Sequence, residues 1–143
     1  MSPLTALLNE HRTITEAGDN LVRALRRPGP LDASEIGRLR TQIASPLRDH
    51  FTSEHDYLLS KLTTEDRAHI PGYQAVIQGT QQLRFAYSAH VHKWSNRAIE
   101  GDRAGYASAT SDLVVMMKRN GALVEEQLYR PGFAILSKVN TRV

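Results

Sequence analysis

The sequence predicts an all-α protein, an antiparallel up-down-up-down four-helix bundle with a short C-terminal extension, and three observations carry that reading. Proline and glycine cluster at Pro28-Gly29-Pro30, Pro71-Gly72, Gly101 to Gly105 and Pro131-Gly132, dividing residues 1–143 into four long segments. Each segment has about 25 residues, roughly 37 Å as a helix, and the links between them are short, which favours antiparallel neighbours. Within the segments apolar residues recur at steps of three and four, with neither strand alternation nor an internal repeat.

The first segment, from about Pro3 to Arg27, places Leu4, Leu7, Leu8, His11, Ile14, Leu21 and Leu25 on one stripe. Ser2 precedes it as an N-cap, with proline at the first helical position. The second begins after the cap residue Asp32 and aligns Ile43, Leu47, His50, Glu54, Leu58 and Leu62. Pro46 lies inside it, so a kink or break is expected there. The third, from about Gly72 to Glu100, carries two stripes. One holds Val76, Leu83, Tyr87, His90 and Trp94; the other holds Phe85, Ala89, His92, Asn96 and Ile99. His90 and His92 point about 200° apart, so at most one of them faces the interior. The fourth, from about Asp102 to Tyr129, lines up Leu113, Met116, Met117, Asn120, Val124 and Leu128. Beyond Pro131 an extension with Phe133, Ala134, Ile135, Leu136 and Val139 is expected to pack as a lid, the alternative being a dimer contact.

Composition narrows the chemistry. The 143 residues suffice for one cored domain, and 18 Lys+Arg against 15 Asp+Glu give a formal charge of +3. The densest basic group, Arg23, Arg26 and Arg27, has no interleaved aromatic and falls in a helix's last turn, where cations complement the dipole. No nucleic-acid partner is therefore expected. Without cysteine there is no disulfide, thiolate metal site or cysteine nucleophile, so any metal must rest on histidine and carboxylate. The apolar run Ala6-Leu7-Leu8 is too short for a signal segment or membrane span, and a cytoplasmic protein is expected.

Polar residues interrupt the apolar stripes at similar depths: His11, His50 with Glu54, His90 or His92, and Asn120. Burying such groups without partners costs several kcal/mol, so they need mutual hydrogen bonds or a metal. His50 and Glu54 are one helical turn apart, which sets an imidazole beside a carboxylate on one face, a donor pair suited to iron, zinc or manganese. His55 and His69 are read as surface histidines.

Leu7-Leu8-Asn9-Glu10-His11, His50-Phe51-Thr52-Ser53-Glu54 with Leu58-Leu59, and Glu125-Glu126-Gln127-Leu128-Tyr129-Arg130-Pro131 together resemble the first, second and fourth helices of the hemerythrin-like, HHE cation-binding family. The resemblance implies a non-haem di-iron centre inside a four-helix bundle, held by five histidines and two bridging carboxylates. It carries metal-ligand roles to His11, His50 and Glu54, and on the later helices to His92 or His90 and to Glu125. Where the family's third and fourth helices have further histidines, this chain has Asn96 and Asn120. The amides are weak donors beside imidazole, so weakened occupancy of the di-iron centre, single-metal occupancy, or a metal-free descendant in which the asparagines bond the remaining histidines is expected. Tyr87, on the stripe of His90, is read as core packing, with a phenolate ligand as the alternative.

The expected function is therefore binding of, or response to, a small diatomic or peroxide ligand (O2, NO or peroxide) at non-haem iron, without turnover of an organic substrate. The alternative is a metal-free helical module for a protein partner or homodimer. A small-molecule or haem pocket in the bundle core, using the remaining histidines, has only the available imidazoles in its favour. Paired Glu-x-x-His motifs, HExxH, Walker loops, GxGxxG and nucleophile elbows are all missing.

Overall fold

The computed structural model describes residues 1–141, with side chains as far as Lys138. The described residues are almost entirely helical and contain no strand. Helix α1 spans Pro3–Arg26, α2 Ala33–Tyr57, α3 Thr64–Ala68, α4 Tyr73–Lys93, α5 Asn96–Gly101, α6 Arg103–Val124 and α7 Arg130–Thr141. A 3-10 turn, Leu59–Lys61, follows α2, and a π turn, Glu125–Tyr129, joins α6 to α7.

The first two helices begin where their caps require. The Ser2 hydroxyl accepts from the Thr5 N–H at 3.1 Å, and the Asp32 carboxylate accepts from Ser34 and Glu35 at 3.0 and 3.2 Å. Each cap satisfies N–H groups that have no partner within the first turn. At the other end of α1, Arg23 and Arg26 lie in the last turn, and Arg27 pairs with Glu35 at 2.7 Å across the α1–α2 turn.

Pro46 does not break α2. One backbone hydrogen bond is forfeited there, but Ile43 and Leu47 on either side are both buried, and that burial holds the helix together through the proline. The expected third helix ends earlier than its periodicity suggests. It stops at Lys93, Trp94 turns into the core, and the Ser95 hydroxyl caps the separate short helix α5 by accepting from the Ala98 N–H. The segment boundary read at Pro131 is bridged as well. The Arg130 N–H bonds the Glu125 carbonyl five residues back, so the helix widens just before a residue with no N–H to give, and the chain continues as α7.

Pairs of contacts define how the long helices run. Glu10 meets His50 and Arg27 meets Glu35; His11 meets Glu125 and Asp19 meets Lys118; His90 meets Thr110 and Gly79 lies beside Asn120. In each set one number rises as the other falls, so α1 is antiparallel to α2 and to α6, and α4 is antiparallel to α6. At the α1–α6 contact a side chain on Gly18 would come within 2.7 Å of a Val114 methyl, so glycine sets that close approach.

Two apolar clusters fill the interior. One gathers Ile14, Leu21, Leu25, Ile43, Leu83 and Tyr106, and the other gathers Leu7, Leu58, Leu62, Val76, Leu128 and Tyr129. The stripe read on the second segment is buried throughout, from Ile43 through His50 and Glu54 on α2 to Leu58 and Leu62 just beyond its end. On α4 the stripe with Val76, Leu83 and Trp94 faces inward, while Phe85 is 81% exposed. Met116, expected inside, is exposed on α6. Phe133, Ile135 and Leu136 of α7 pack against the second cluster as a lid would; the side chain of Val139 lies outside those described. No helix among the described residues is long and apolar enough to cross a membrane.

Candidate metal centre

His11 on α1 and His50 and Glu54 on α2 converge, with one nitrogen or oxygen of each lying within 4.8 Å of the others. His50 is 3% exposed and Glu54 4%, so both are held out of water at the junction of the two apolar clusters. Helix geometry alone puts these two on one face, and their nearest atoms, His50 Nε2 and Glu54 Oε2, are 3.7 Å apart. His11 reaches them because α1 is antiparallel to α2; the two imidazole rings meet edge to face with centroids 4.4 Å apart.

Each imidazole is tied at its outer nitrogen. His50 Nδ1 lies 2.8 Å from Glu10 Oε1, and His11 Nδ1 lies 2.8 Å from Glu125 Oε1. A carboxylate only accepts, so both Nδ1 atoms carry the proton and donate it. In the neutral imidazoles both Nε2 lone pairs then face inward. Carboxylates behind ligating histidines fix the tautomer and ring orientation of metal centres in this way.

Tyr129 closes the inner side. Its hydroxyl donates to Glu54 Oε2 at 2.5 Å and lies 3.3 and 3.2 Å from the Nε2 atoms of His11 and His50. With its single proton committed to Glu54, it has none for either imidazole. Two nitrogen lone pairs, a carboxylate and a phenol oxygen therefore meet around one proton, an arrangement that favours a cation. Burial, and then the negative charge of Glu54, push the Tyr129 phenol well above its ordinary pKa, so it stays protonated. Burial, and then the neighbouring His50, push His11 below the usual imidazole value, which keeps its nitrogen free to ligate.

The opposite side is open. A half-open cavity of about 430 Å³ reaches His11, His50 and Glu54, walled by Leu47, Phe51, Leu83 and Met117 and bordered by Thr80 and Asn120. Phe51, with the Arg84 guanidinium 4.0 Å above its ring, lines both this cavity and a second hollow that also reaches Glu54 and Thr80.

Of the residues expected to ligate, the structure brings His11, His50 and Glu54 together. Glu125 is present as the partner of His11 Nδ1 and not as a member of the donor cluster. His90 and His92 are elsewhere: His92 is exposed on α4, while His90 stacks on Tyr106 with its Nε2 3.4 Å from the Thr110 hydroxyl. Asn96 faces Arg40 at 3.5 Å and Asn120 lies beside Gly79, so neither amide bonds a histidine. Tyr87 packs against the first apolar cluster as core, and His55 and His69 are exposed. Sequence reasoning missed Glu10 and Tyr129 as functional groups. Their nearest signal is position, since Glu10 adjoins His11 and Tyr129 lies one turn beyond Glu125.

The π turn explains the placement of the last two groups. Widening the helix by a residue re-aims its side chains; here Glu125, at one end, meets His11 on α1, and Tyr129, at the other, meets His11 on α1 and His50 and Glu54 on α2. Compared with protein-family models, with curated proteins and with solved structures, the chain matches none of them.

Proposed function

We propose that this chain is a hemerythrin-like four-helix bundle that holds one non-haem iron ion on His11, His50 and Glu54 and binds or responds to O2, NO or peroxide there. The carrying observation is the convergence of two imidazole Nε2 atoms and one buried carboxylate within 4.8 Å, with both Nδ1 atoms anchored by Glu10 and Glu125. The antiparallel contacts of α1 with α2 and α6, and of α4 with α6, support the bundle. Two histidines and one carboxylate with an open side suit non-haem Fe(II), and His11, His50 and Glu54 are the only such group among the described residues, which supports one ion in place of a pair. Bound iron supplies coordination positions for a small ligand, reached from the cavity beside Asn120. Binding, and not turnover, is the activity proposed.

A second reading has one observation in its favour. The Tyr129 hydroxyl, donating to Glu54 and lying near both Nε2 atoms, gives the cluster internal partners without a metal, as in a metal-free module for protein partners. Metal analysis of protein expressed with iron and purified without chelator, together with its visible absorption under air, separates the two. The iron reading expects about one ion per chain, lost in both His50→Ala and Glu54→Ala. Absence of bound metal, or iron retained in both variants, overturns it.

A further inference from the structure

We propose that the cavity beside His11, His50 and Glu54 is a binding site for a small neutral organic molecule bearing a hydroxyl group, of the phenol or cyclic-alcohol class. This goes beyond the metal reading and does not depend on it.

Size is the first argument. A volume of about 430 Å³ corresponds to roughly fourteen waters at about 30 Å³ each, far more than a diatomic ligand occupies. It falls in the range of cavities that take small organic molecules.

The lining supplies the chemistry. Leu47, Phe51, Leu83 and Met117 present an apolar wall from α2, α4 and α6, suited to a ring or a compact hydrocarbon body. Two polar side chains interrupt it. Thr80 on α4 is nine-tenths buried, and Asn120 on α6 lies so near the α4 backbone that a Cβ on Gly79 would come within 3.3 Å of its amide nitrogen. Among the described residues neither the Thr80 hydroxyl nor the Asn120 amide has a hydrogen-bond partner. Both groups line the cavity with hydrogen-bonding capacity that no side chain or backbone group takes up, so a bound molecule can pair with them.

The metal-binding side chains on the same cavity ask for a donor. The Nε2 lone pairs and the Glu54 carboxylate are acceptors, so a ligand hydroxyl can donate to one of them while its oxygen accepts from Asn120 or Thr80. Charge argues for neutrality, because Glu54 and Glu125 both border the space. The cations on its lining are exposed, and Lys118 is already held by Asp19 at 2.9 Å.

Calorimetric titration of the full chain with 2-naphthol, in chelator and again after loading with zinc, tests the proposal. Saturable micromolar binding is expected under at least one of these conditions, with 2-methylnaphthalene, which replaces the hydroxyl by a methyl, weaker by about tenfold. At least one of Thr80→Val and Asn120→Leu should weaken 2-naphthol roughly three- to tenfold, as the loss of one hydrogen bond does, with helical circular dichroism unchanged. Absence of saturable binding under both conditions, equal affinity for the two compounds, or affinities unmoved in both folded variants overturns the proposal. Should a variant not fold, the comparison of the two compounds on the unaltered chain decides. Binding of 2-naphthol by a chain that takes up no metal supports the cavity while refuting the iron reading, and metal uptake without 2-naphthol binding does the reverse.

Discussion

Glu10 on α1 holds the Nδ1 of His50 on α2 at 2.8 Å, so a partly exposed carboxylate on one helix orients a buried imidazole on the next. Because the imidazole is fixed by that bond, Glu10→Ala should leave the fold intact and lower metal affinity by about ten- to a hundredfold, as losing the partner behind a ligating histidine does. Competition with a chelator of known affinity measures it. An affinity equal to that of the unaltered chain would show that packing alone positions His50.

Glu54 is the buried charge of the site, and its replacement separates binding from stability. Glu54→Gln should abolish tight metal binding, yet in metal-free protein it should leave the melting temperature unchanged or higher. The amide oxygen of the new side chain would still accept from the Tyr129 hydroxyl, and the low-dielectric interior would no longer hold a charge there. Thermal unfolding in chelator, alongside metal analysis, reads both effects. A large loss of stability in chelator would contradict the expectation.

Tyr129→Phe removes the donor that satisfies Glu54. The metal-free chain should lose about 1–3 kcal/mol, the cost of leaving a buried acceptor unpaired, measured by urea unfolding in chelator. The native phenol should also resist alkaline titration, because burial and the charge of Glu54 both oppose its ionisation. Ultraviolet absorbance followed upward in pH should show Tyr129 ionising only as the chain unfolds.

His90 contributes a pH dependence away from the metal centre. Burial first, then Arg40 and Lys93, hold its folded pKa below the ordinary imidazole value of 6.5. Between those two pKa values the unfolded state binds more protons than the native state, so this contribution to stability is complete above pH 6.5 and declines as pH falls below it. Melting temperatures of metal-free protein from about pH 8 down to about pH 5 should therefore fall, and His90→Gln should make the fall shallower. An identical slope in the variant would remove His90 as a contributor.

Much of the architecture was legible in the residues themselves. The stripe Ile43, Leu47, His50, Glu54, Leu58 and Leu62 is buried throughout, and Ser2 and Asp32 cap α1 and α2 as read, because periodicity and capping are local properties that a few neighbouring residues settle. Pro46 does not break its helix, and the segment boundary read at Pro131 is bridged, for the complementary reason. Their local cost is real, but burial of Ile43 and Leu47 outweighs it in one case, and the π turn ahead of Pro131 absorbs it in the other.

By itself the sequence determined the helical class, the starts of α1 and α2, the buried stripe from Ile43 to Leu62 and the pairing of His50 with Glu54, since one helical turn fixes those two on one side whatever packs against them. Only the tertiary structure decided that Glu10 and Glu125 orient the two imidazoles, that Tyr129 closes the cluster, and that His90 lies with Tyr106 and Thr110 while His92 faces solvent. Those relationships depend on the register of one helix against another and on a single widened turn. They are set by packing between segments more than a hundred residues apart in the case of His11 and Glu125, where 3.6-residue periodicity carries no information.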